Sequence, residues 1–399
     1  MSVPQELIDL IVDNLDADAP SLKSCSIAAS TFLMPSQAHL FRKIEILPPP
    51  TRNTSDSNPC QRFHKILTSS PHLASLVQEL RIVLVGSETS FEYDEDGEYL
   101  EERHPPWVMS GRTLALVLPL LKLKRISLVE DSPGDWNGGG DFSMKWSTLG
   151  RSLKSALTDV FSSPRLESAL LRGIVVHSPK DLLSLFSDAT ALKSLSLSRV
   201  YFEQGWQAHQ AWPEAQPWRP QLSSLLLSEI EGDMITRYFI NPRIDLSQII
   251  SFTAASNIST TKDAVIAAVV SHNHVQDLGV YRAERLDIKP NLRSLRLFTT
   301  NMYTTMSDTF RSIPVDSQLE SITFDGIMSL MFPSLDAMIA SVIARLPSLR
   351  RVDIRVIPDE RKNFSAWSTN LRDFLPSLET RGLLKITVFG DNNCFVDWE

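Results

Sequence analysis

The residue types that could support chemistry are scattered along this chain, and none completes a metal or phosphate site. Asp94-Glu95-Asp96-Gly97 begins like a calcium loop, but such a loop has glycine at its sixth position, where this chain has Tyr99. His272 and His274 could share a metal, yet no acidic residue or cysteine stands at a suitable spacing. The glycine run at 138–140 lacks the Lys-Ser or Lys-Thr of a phosphate loop. We therefore expect no metal and no cofactor.

Residue combinations that activate a nucleophile are also missing. The chain contains no Gly-x-Ser-x-Gly, no His-Glu-x-x-His and no dinucleotide-binding glycine fingerprint. Trp206, Trp212 and Trp218 cluster in a proline-bearing insert, where packing over a repeat is favoured over a binding hot spot. The sequence therefore predicts a protein that is not an enzyme and has no catalytic residues. A hydrolase hidden in the loops is the least favoured class.

Charge and cysteine content restrict the partners and the compartment. The net charge is −8 and no run of basic residues interrupts it, so nucleic acid and membrane are not expected as partners. Three cysteines without metal-ligand spacing suit a reducing compartment. The start of the sequence lacks the pattern of a signal peptide, and no apolar span reaches membrane length. We expect an intracellular protein, in the cytoplasm or the nucleus.

The feature that could position a binding surface is a repeated spacing of apolar residues at positions one, four and six, as in Leu192, Leu195 and Leu197. Positions four and six face the same side of a strand, and position one enters the strand from that side. The spacing is typical of leucine-rich repeats, which bury their apolar faces by stacking on their neighbours. The other instances are Val77-Leu80-Ile82, Leu123-Ile126-Leu128, Leu166-Ala169-Leu171, Leu222-Leu225-Leu227, Ile249-Phe252-Ala254, Val275-Leu278-Val280, Leu292-Leu295-Leu297, Leu319-Ile322-Phe324, Leu349-Val352-Ile354 and Leu383-Ile386-Val388.

Helices are expected between the strands, because apolar stripes at helical spacing separate most motifs. Two longer gaps hold 88–106 and 131–145, which we interpret as excursions from the repeats. The gap from Val275 to Leu292 is too short for a strand and a helix, so either one strand is misassigned or a bare loop joins them. Position nine is apolar in most repeats, as at Ile174, so we expect apolar packing to close the turns. The predicted helices are 60–69, 113–121, 149–161, 181–189, 261–271, 334–345 and 364–374.

The N-terminal segment has a different, helical pattern. A capping box of Ser2 and Gln5 opens a first helix, whose apolar stripe consists of Leu7, Ile8, Ile11, Val12 and Leu15. A second helix is predicted from 21 to 32, and a short third one begins at Met34-Pro35. Three short helices make a weak core, so this segment should lean on a partner or on the next domain. The predicted domains are 1–47, helical; 48–76, a connector and the first helix of the repeat region; and 77–399, the repeats.

These N-terminal residues resemble the F-box in the form common among fungal proteins. The resemblance rests on the Pro-x-Glu-Leu-Ile opening at 4–8, a small and polar middle helix that ends in Phe32, and the closing Leu40-Phe41-Arg42. The sequence departs from the common pattern at Val3, where leucine usually precedes the proline, and by having no tryptophan near the closing segment. The segment 69–82 is similar to the entry into the repeats of F-box proteins with leucine-rich repeats.

The resemblance implies both a fold and a function. The fold is α/β, a short three-helix F-box followed by an irregular leucine-rich-repeat solenoid with a concave parallel sheet. Proteins of this kind are substrate-recognition adaptors of Skp-cullin-F-box ubiquitin ligases, in which the F-box binds a Skp-type linker subunit. The residues implied for linker contact are Pro4, Leu7, Ile8, Ile11, Leu15 and Leu22. The alternative is a repeat scaffold that binds proteins without any ligase, its N-terminal helices serving only as a cap.

The predicted substrate-binding residues stand at positions five and seven of the repeats, which point away from the buried positions. In the last repeats these positions hold aromatic, arginine and acidic side chains, whereas Ser196, Ser198 and Ser228 occupy them in earlier repeats. Aromatic and arginine side chains are enriched at protein interfaces and in hot spots. The candidates are Tyr281, Arg296, Phe298, Asp325, Asp353, Arg355 and Phe389.

Overall fold

The structure is a computed structural model with both helices and strands. It describes residues 3–16, 18–48, 58–84, 91–93, 99–101, 112–130, 144–203, 218–228, 230, 244–255, 269–270, 274–280, 289–298, 310, 313–325, 332–343, 345–356 and 372–388. Among the predicted site residues, Tyr281 and Phe389 lie outside these ranges, as do the calcium-like loop at 94–97 and the glycine run at 138–140.

Three helices occupy the N-terminal region: α1 (Gln5–Asp13), α2 (Ala19–Ala28) and α3 (Ser30–Arg42). Pro4 precedes α1 and makes no side-chain capping bond, and Ser2 of the predicted capping box lies outside the described residues. Asp18 caps α2 by accepting a hydrogen bond from the Ser21 backbone N–H at 3.2 Å. Hydrogen bonds from the Ser21 side chain and backbone lower the pKa of Asp18.

The predicted end of the second helix is wrong. α2 ends at Ala28 because Ala29 has extended backbone, with φ −155° and ψ 150°, and α3 begins directly afterwards. α3 then continues through Pro35, where one helical hydrogen bond is lost. Phe32 packs against the buried core of these helices, so tertiary packing outweighs the start signal that a proline normally gives.

A sheet of thirteen strands, parallel and not closed, contains most of the strands. Two further strands, β3 and β4, pair antiparallel in a separate sheet inside the predicted excursion at 88–106. The strands are β1 (Lys43–Ile46), β2 (Glu79–Leu84), β3 (Phe91–Tyr93), β4 (Tyr99–Glu101), β5 (Arg125–Glu130), β6 (Met144–Lys145), β7 (Ser168–Val176), β8 (Ser194–Phe202), β9 (Ser224–Ser228), β10 (Ser251–Ala255), β11 (Asp277–Val280), β12 (Ser294–Phe298), β13 (Ser321–Asp325), β14 (Arg351–Val356) and β15 (Leu384–Val388).

Of the helices whose bounds the structure describes, six more lie between strands: α4 (Pro59–Ser69), α5 (Thr113–Val117), α6 (Arg151–Phe161), α7 (Pro179–Ser184), α8 (Phe332–Ile343) and α9 (Pro376–Thr380). The helices predicted at 60–69, 149–161 and 334–345 agree with α4, α6 and α8 to within a few residues. α5 is shorter than predicted because a 3-10 turn takes over at Leu118, next to Pro119. Most of the predicted helices at 261–271 and 364–374 lies outside the described residues.

The chain divides into two units, Met1–Lys193 with Val200–Pro220 and Ser194–Arg199 with Gln221–Glu399. In the first unit, β1 pairs with β2, β2 with β5, and β5 with β7, all in parallel. β1 belongs to the segment predicted as the helical domain, yet it extends the sheet. The aromatic core of this unit centres on Phe161, whose ring lies 5.2 Å from Phe186 and 6.1 Å from Trp146.

In the second unit, successive repeats pair in parallel from β8 through β15. The motif residues stay in register, so that Leu195 is opposite Leu225 and Leu295 is opposite Ile322. β11 and β12 are both strands and pair directly, so neither was misassigned. Most of the chain that joins them, at 281–288, lies outside the described residues.

The last repeat is shifted by two residues against the motif. Ile386 was predicted as position four, but it lies opposite Ile354, which is position six of the preceding repeat. Leu384 therefore takes the place expected for Ile386, and Thr387 lies opposite Arg355. A shift of two keeps every side chain on its own face of the sheet, so hydrophobic alternation alone does not distinguish the two registers.

Position nine of the motif was expected in a turn, but in the two longest strands it lies within the strand. Ile174 and Val200 lie inside β7 and β8 and are fully buried. The residues just before them, Gly173 with φ 71° and Arg199 with φ 52°, adopt the left-handed region. Apolar packing at position nine is thus observed here, but the strands continue past a left-handed residue instead of ending in a turn.

Candidate protein-binding surfaces

The first candidate surface is formed by the N-terminal helices. Their core consists of Ile8, Val12 and Leu22, with Leu15, Phe32 and Leu40 packed against it. Ile8 and Leu22 are only 3% and 1% exposed, so these two predicted linker contacts lie inside the helical core. Leu15 also packs against that core. Ile8 and Leu22 therefore position the surface and do not form it, whereas Leu15 is partly exposed.

The other predicted contacts are exposed. Leu7 and Ile11 are 51% and 49% exposed, and Pro4 is exposed beside them. Val3 and Leu10 are also more than half exposed, at 57% and 58%. Leu7, Leu10 and Ile11 follow the spacing of one face of α1, and Val3 stands just before the helix; we call these four residues the exposed stripe. Side chains of this size are normally covered, so a continuous stripe of them indicates an interaction surface.

α1 is therefore apolar on two faces. Ile8, Val12 and Leu15 turn one face to the core, and the exposed stripe lies roughly a third of a turn away at about 100° per residue. The sequence pattern predicted a single stripe, which combined residues of both faces and did not include Leu10. The signal was present, because Leu10 follows Leu7 by three residues and Val3 by seven.

Further apolar side chains are exposed on the neighbouring helices, and sequence reasoning missed them. Ile27 at the end of α2 is 87% exposed, and Met34 of α3 is 53% exposed. The small, polar composition of the middle helix hid Ile27 from a search for apolar stripes. These residues lie among many exposed polar residues, which is the usual composition of a protein-binding surface.

His39 of α3 ties the end of α1 in place. Its Nε2 lies 2.8 Å from Asp13 Oδ1, and its Nδ1 lies 2.6 Å from Asp16 Oδ1. A neutral imidazole carries one N–H, so only the protonated ring donates to both carboxylates. The hydrogen bond to Asp16, followed by the weaker effect of Asp13, raises the pKa of His39 against the opposing effect of burial.

The second candidate surface is the face of the sheet that carries motif positions three, five and seven in the second unit. Arg296, Asp325, Asp353 and Arg355 come together there, as the strand order brings β12, β13 and β14 side by side. We call these residues, with Arg351 and Lys385, the charged row. Sequence reasoning named neither Arg351 nor Lys385. Lys385 enters the row through the register shift of the last repeat, which places it opposite Asp353.

The carboxylates of the charged row lie between arginines. Asp325 accepts a hydrogen bond from Arg296 Nε, and its Oδ1 lies 4.0 Å from Arg355 Nε. Asp353 Oδ2 lies 3.7 Å from Arg355 Nε and 3.6 Å from Arg351 Nη2. Thr387 donates a hydrogen bond to Asp353 Oδ1 at 2.7 Å. Alternating charge across adjacent strands stabilises the sheet and holds the arginines in fixed positions.

Burial changes the roles of the predicted substrate-binding residues. Asp353 is 1% exposed and Asp325 6%, so both carboxylates lie beneath the row and not at its surface. Phe298 is only 3% exposed, and the Arg296 guanidinium carbon lies 4.9 Å above its ring. The prediction that these three residues face a partner directly does not fit this burial. The close packing of neighbouring strands, about 4.8 Å apart, lets the side chains cover one another.

A cluster of serine, histidine and glutamate lies at the ends of β7 and β8, but it is not arranged as a catalytic triad. Ser147 donates its hydroxyl hydrogen to Glu203, and His177 Nδ1 lies 3.3 Å from the other oxygen of the same carboxylate. A nucleophilic serine needs the histidine as its base, whereas here the serine is bound to the acid. Burial raises the pKa of the Cys60 thiol to about 11, which removes it as a nucleophile near neutral pH.

The residues that the structure describes contain neither a metal-binding cluster nor a membrane-spanning helix. Within them, no group of three or more His, Cys, Asp or Glu side chains could hold a metal ion. Of the two histidines considered and rejected as a metal pair in the sequence, His272 lies outside the described residues. Among the helices described, none is long and apolar enough to cross a membrane.

Comparisons with known proteins add no identification. The chain matches no protein-family model, and no curated protein matches it significantly. The two candidate surfaces therefore stand on their own geometry.

Proposed function

We propose that this chain is a substrate-recognition adaptor of a Skp-cullin-F-box ubiquitin ligase, as its N-terminal resemblance implies. In this proposal the N-terminal helices are an F-box that binds a Skp-type linker subunit, and the sheet region is an irregular leucine-rich-repeat solenoid that binds a protein substrate. The protein is intracellular and has no catalytic role of its own. It uses no cofactor, no nucleic acid and no membrane.

The single observation that carries the proposal is the exposed stripe on α1. Its four large apolar side chains are about half exposed, although the helix has a second apolar face for its own core. A helix that only capped a repeat array would need one apolar face and a polar outer one. The stripe lies next to Glu6 and Asp9, so its rim is acidic. A partner helix or groove with apolar residues and a basic rim would fit it.

The test is binding to a recombinant Skp-type linker subunit, measured by calorimetry and co-purification. Leu7→Asp with Ile11→Asp should weaken binding by about 2 kcal/mol or more, roughly thirtyfold in Kd. The fold should remain, because both side chains are exposed. Ile66→Asp with Leu116→Asp is the matched control, since these apolar side chains are also exposed but lie on α4 and α5.

Two results would overturn the proposal. The first is an unmodified chain that does not bind the linker, and the second is a control variant that loses binding as strongly as the stripe variant. If the stripe variant instead unfolds the N-terminal helices, as read by circular dichroism, the stripe is structural. That result favours the alternative, a repeat scaffold that binds proteins without a ligase.

A further inference from the structure

The strands of the second unit differ sharply in the charge of positions three, five and seven. In β8, β9 and β10 these positions hold uncharged residues, chiefly serine and threonine. In β11, position three is the exposed Asp277, opposite Ser294 of β12, and position five is Gly279. In β12 to β15 they hold Arg296, Asp325, Arg351, Asp353, Arg355 and Lys385. The charged row thus has four cations and two carboxylates, a local positive excess in a chain whose net charge is −8.

The cations and the carboxylates lie at different depths. The side chains of Asp325 and Asp353 are 7% and 1% exposed, whereas that of Arg351 is 49% exposed. Lys385 is exposed as well, and Arg296 is 20% exposed. A partner that approaches this face therefore meets guanidinium and ammonium groups, with the carboxylates beneath them. The face is electropositive toward solvent, although the protein as a whole is acidic.

The buried carboxylates also fix the arginines before any partner binds. Arg296 uses its Nε to bind Asp325, and a guanidinium has four further N–H groups on its terminal nitrogens. Arg355 is held between Asp325 and Asp353. Fixing long side chains in advance removes part of the entropic cost of binding. The three arginines of the row are therefore preorganised by the carboxylates.

The row spans four neighbouring strands, β12 to β15. At about 4.8 Å between strands this is a length of roughly 15 Å, which an extended segment of about five residues covers. We propose that the charged row binds an extended protein segment that carries clustered anionic side chains, either carboxylates or phosphates. This inference rests on the proposed function only in taking that segment to belong to the substrate.

The test uses the full chain without any linker subunit and fluorescein-labelled peptides in a polarisation assay at low salt. The first peptide is Gly-Ser-Glu-Glu-Ser-Glu-Glu-Gly, and the second has glutamine in place of each glutamate. The third is the glutamine peptide with both serines phosphorylated. The glutamate and phosphoserine peptides should bind and the glutamine peptide should not, with affinity falling as salt rises. Comparison of the two anionic peptides distinguishes carboxylate from phosphate recognition.

Arg351→Gln with Lys385→Gln should weaken binding of the anionic peptides roughly tenfold, because it removes two exposed cations of the row. Lys122→Gln with Lys154→Gln is the charge-matched control, since both lysines are exposed and lie in the first unit. The control should bind as the unmodified chain does. Circular dichroism melts of both variants show that the fold is intact.

Several outcomes overturn the inference. They are an unmodified chain that binds no anionic peptide at low salt, equal binding of the glutamine peptide, and equal loss in the control variant. Stronger binding of an eight-nucleotide single-stranded DNA than of either anionic peptide would identify a nucleic-acid site instead. The linker subunit is absent from this assay, so failure here leaves the exposed stripe and its linker binding untouched. Failure of linker binding likewise leaves the peptide result intact.

Discussion

Gly173 is constrained both by its backbone conformation and by a neighbouring side chain, and no sequence motif indicates either constraint. It has φ 71° within β7, and a Cβ at this position would overlap the side chain of Glu130. Glu130 is itself 3% exposed at the end of β5. Glycine is required here twice, for its backbone conformation and for the space beside a buried carboxylate. Arg199 reaches the same conformation at the corresponding place in β8 without being glycine.

We predict that Gly173→Ala destabilises the protein by about 2–4 kcal/mol, since the left-handed backbone and the overlap both contribute. The matched control is Gly382→Ala, whose φ is 65° but whose Cβ would meet nothing within 4 Å. It should cost only the conformational part, about 1–2 kcal/mol. Urea unfolding of each variant measures the difference. Equal losses in the two variants would show that the Glu130 contact adds nothing.

The burial of individual side chains was predictable from the sequence for one face of the sheet only. Leu195, Leu225 and Ile322 stand at position four and are buried, as the motif predicts. Asp353 stands at position five and was expected at the surface, yet it is 1% exposed. Arg351 and Arg355 of its own strand lie against it, and Thr387 of the neighbouring strand donates a hydrogen bond to it. Side-chain alternation gives the face but not the depth, because depth depends on which charges neighbouring strands place together.

For the strands and helices, the sequence predicted that an element exists better than it predicted the register or the buried face of that element. The strands at every motif are present, because two aligned apolar residues and a leading one specify a buried strand strongly. The register shift of β15 was not predictable, since Leu384 and Ile386 suit the buried face equally well. The two faces of α1 were merged for a related reason. Apolar spacing identifies a helix face, but only the packing of α2 and α3 decides which face is covered.

His39 makes the packing of α1 against α3 dependent on pH. Its pKa is raised in the folded protein, so its contribution to stability is fully present below the ordinary value of about 6.5. That contribution is lost as pH rises through the folded pKa. We predict faster amide hydrogen exchange in α1 at pH 8 than at pH 6, after correction for intrinsic rates, by an amount typical of partly exposed ion pairs, about 0.5–1 kcal/mol.

His39→Gln keeps a side chain that can hydrogen-bond but cannot take up a proton in this range. In this variant the corrected exchange of α1 should be the same at both pH values. His64→Gln is the control, because His64 lies on α4 and should leave the pH response of α1 unchanged. A pH response that persists in His39→Gln would assign it to other groups.

At the scale of the whole molecule, the chain has two compact units whose division falls inside β8. The domain boundary predicted from the sequence follows the N-terminal helices, where the composition changes from helical stripes to a proline-rich connector. The sequence did not indicate that β1 pairs with β2. Through this pairing the N-terminal segment belongs to the same unit as the first strands of the sheet. Such pairings join residues far apart in sequence, so local pattern does not specify them.

The division predicts how the protein responds to a defect in either core. Phe161 and Phe324 are both fully buried, the first beside Phe186 in the first unit and the second beside Phe310 in the second. Replacing either by alanine should cost about 3–5 kcal/mol. Each strand of the parallel sheet contacts mainly its neighbouring strands, so local opening should follow the site of the defect. Hydrogen exchange should therefore accelerate in β5 and β7 for Phe161→Ala and in β13 and β14 for Phe324→Ala. If either variant accelerates exchange equally in all four strands, the chain opens as one cooperative body and the two units have no separate stability.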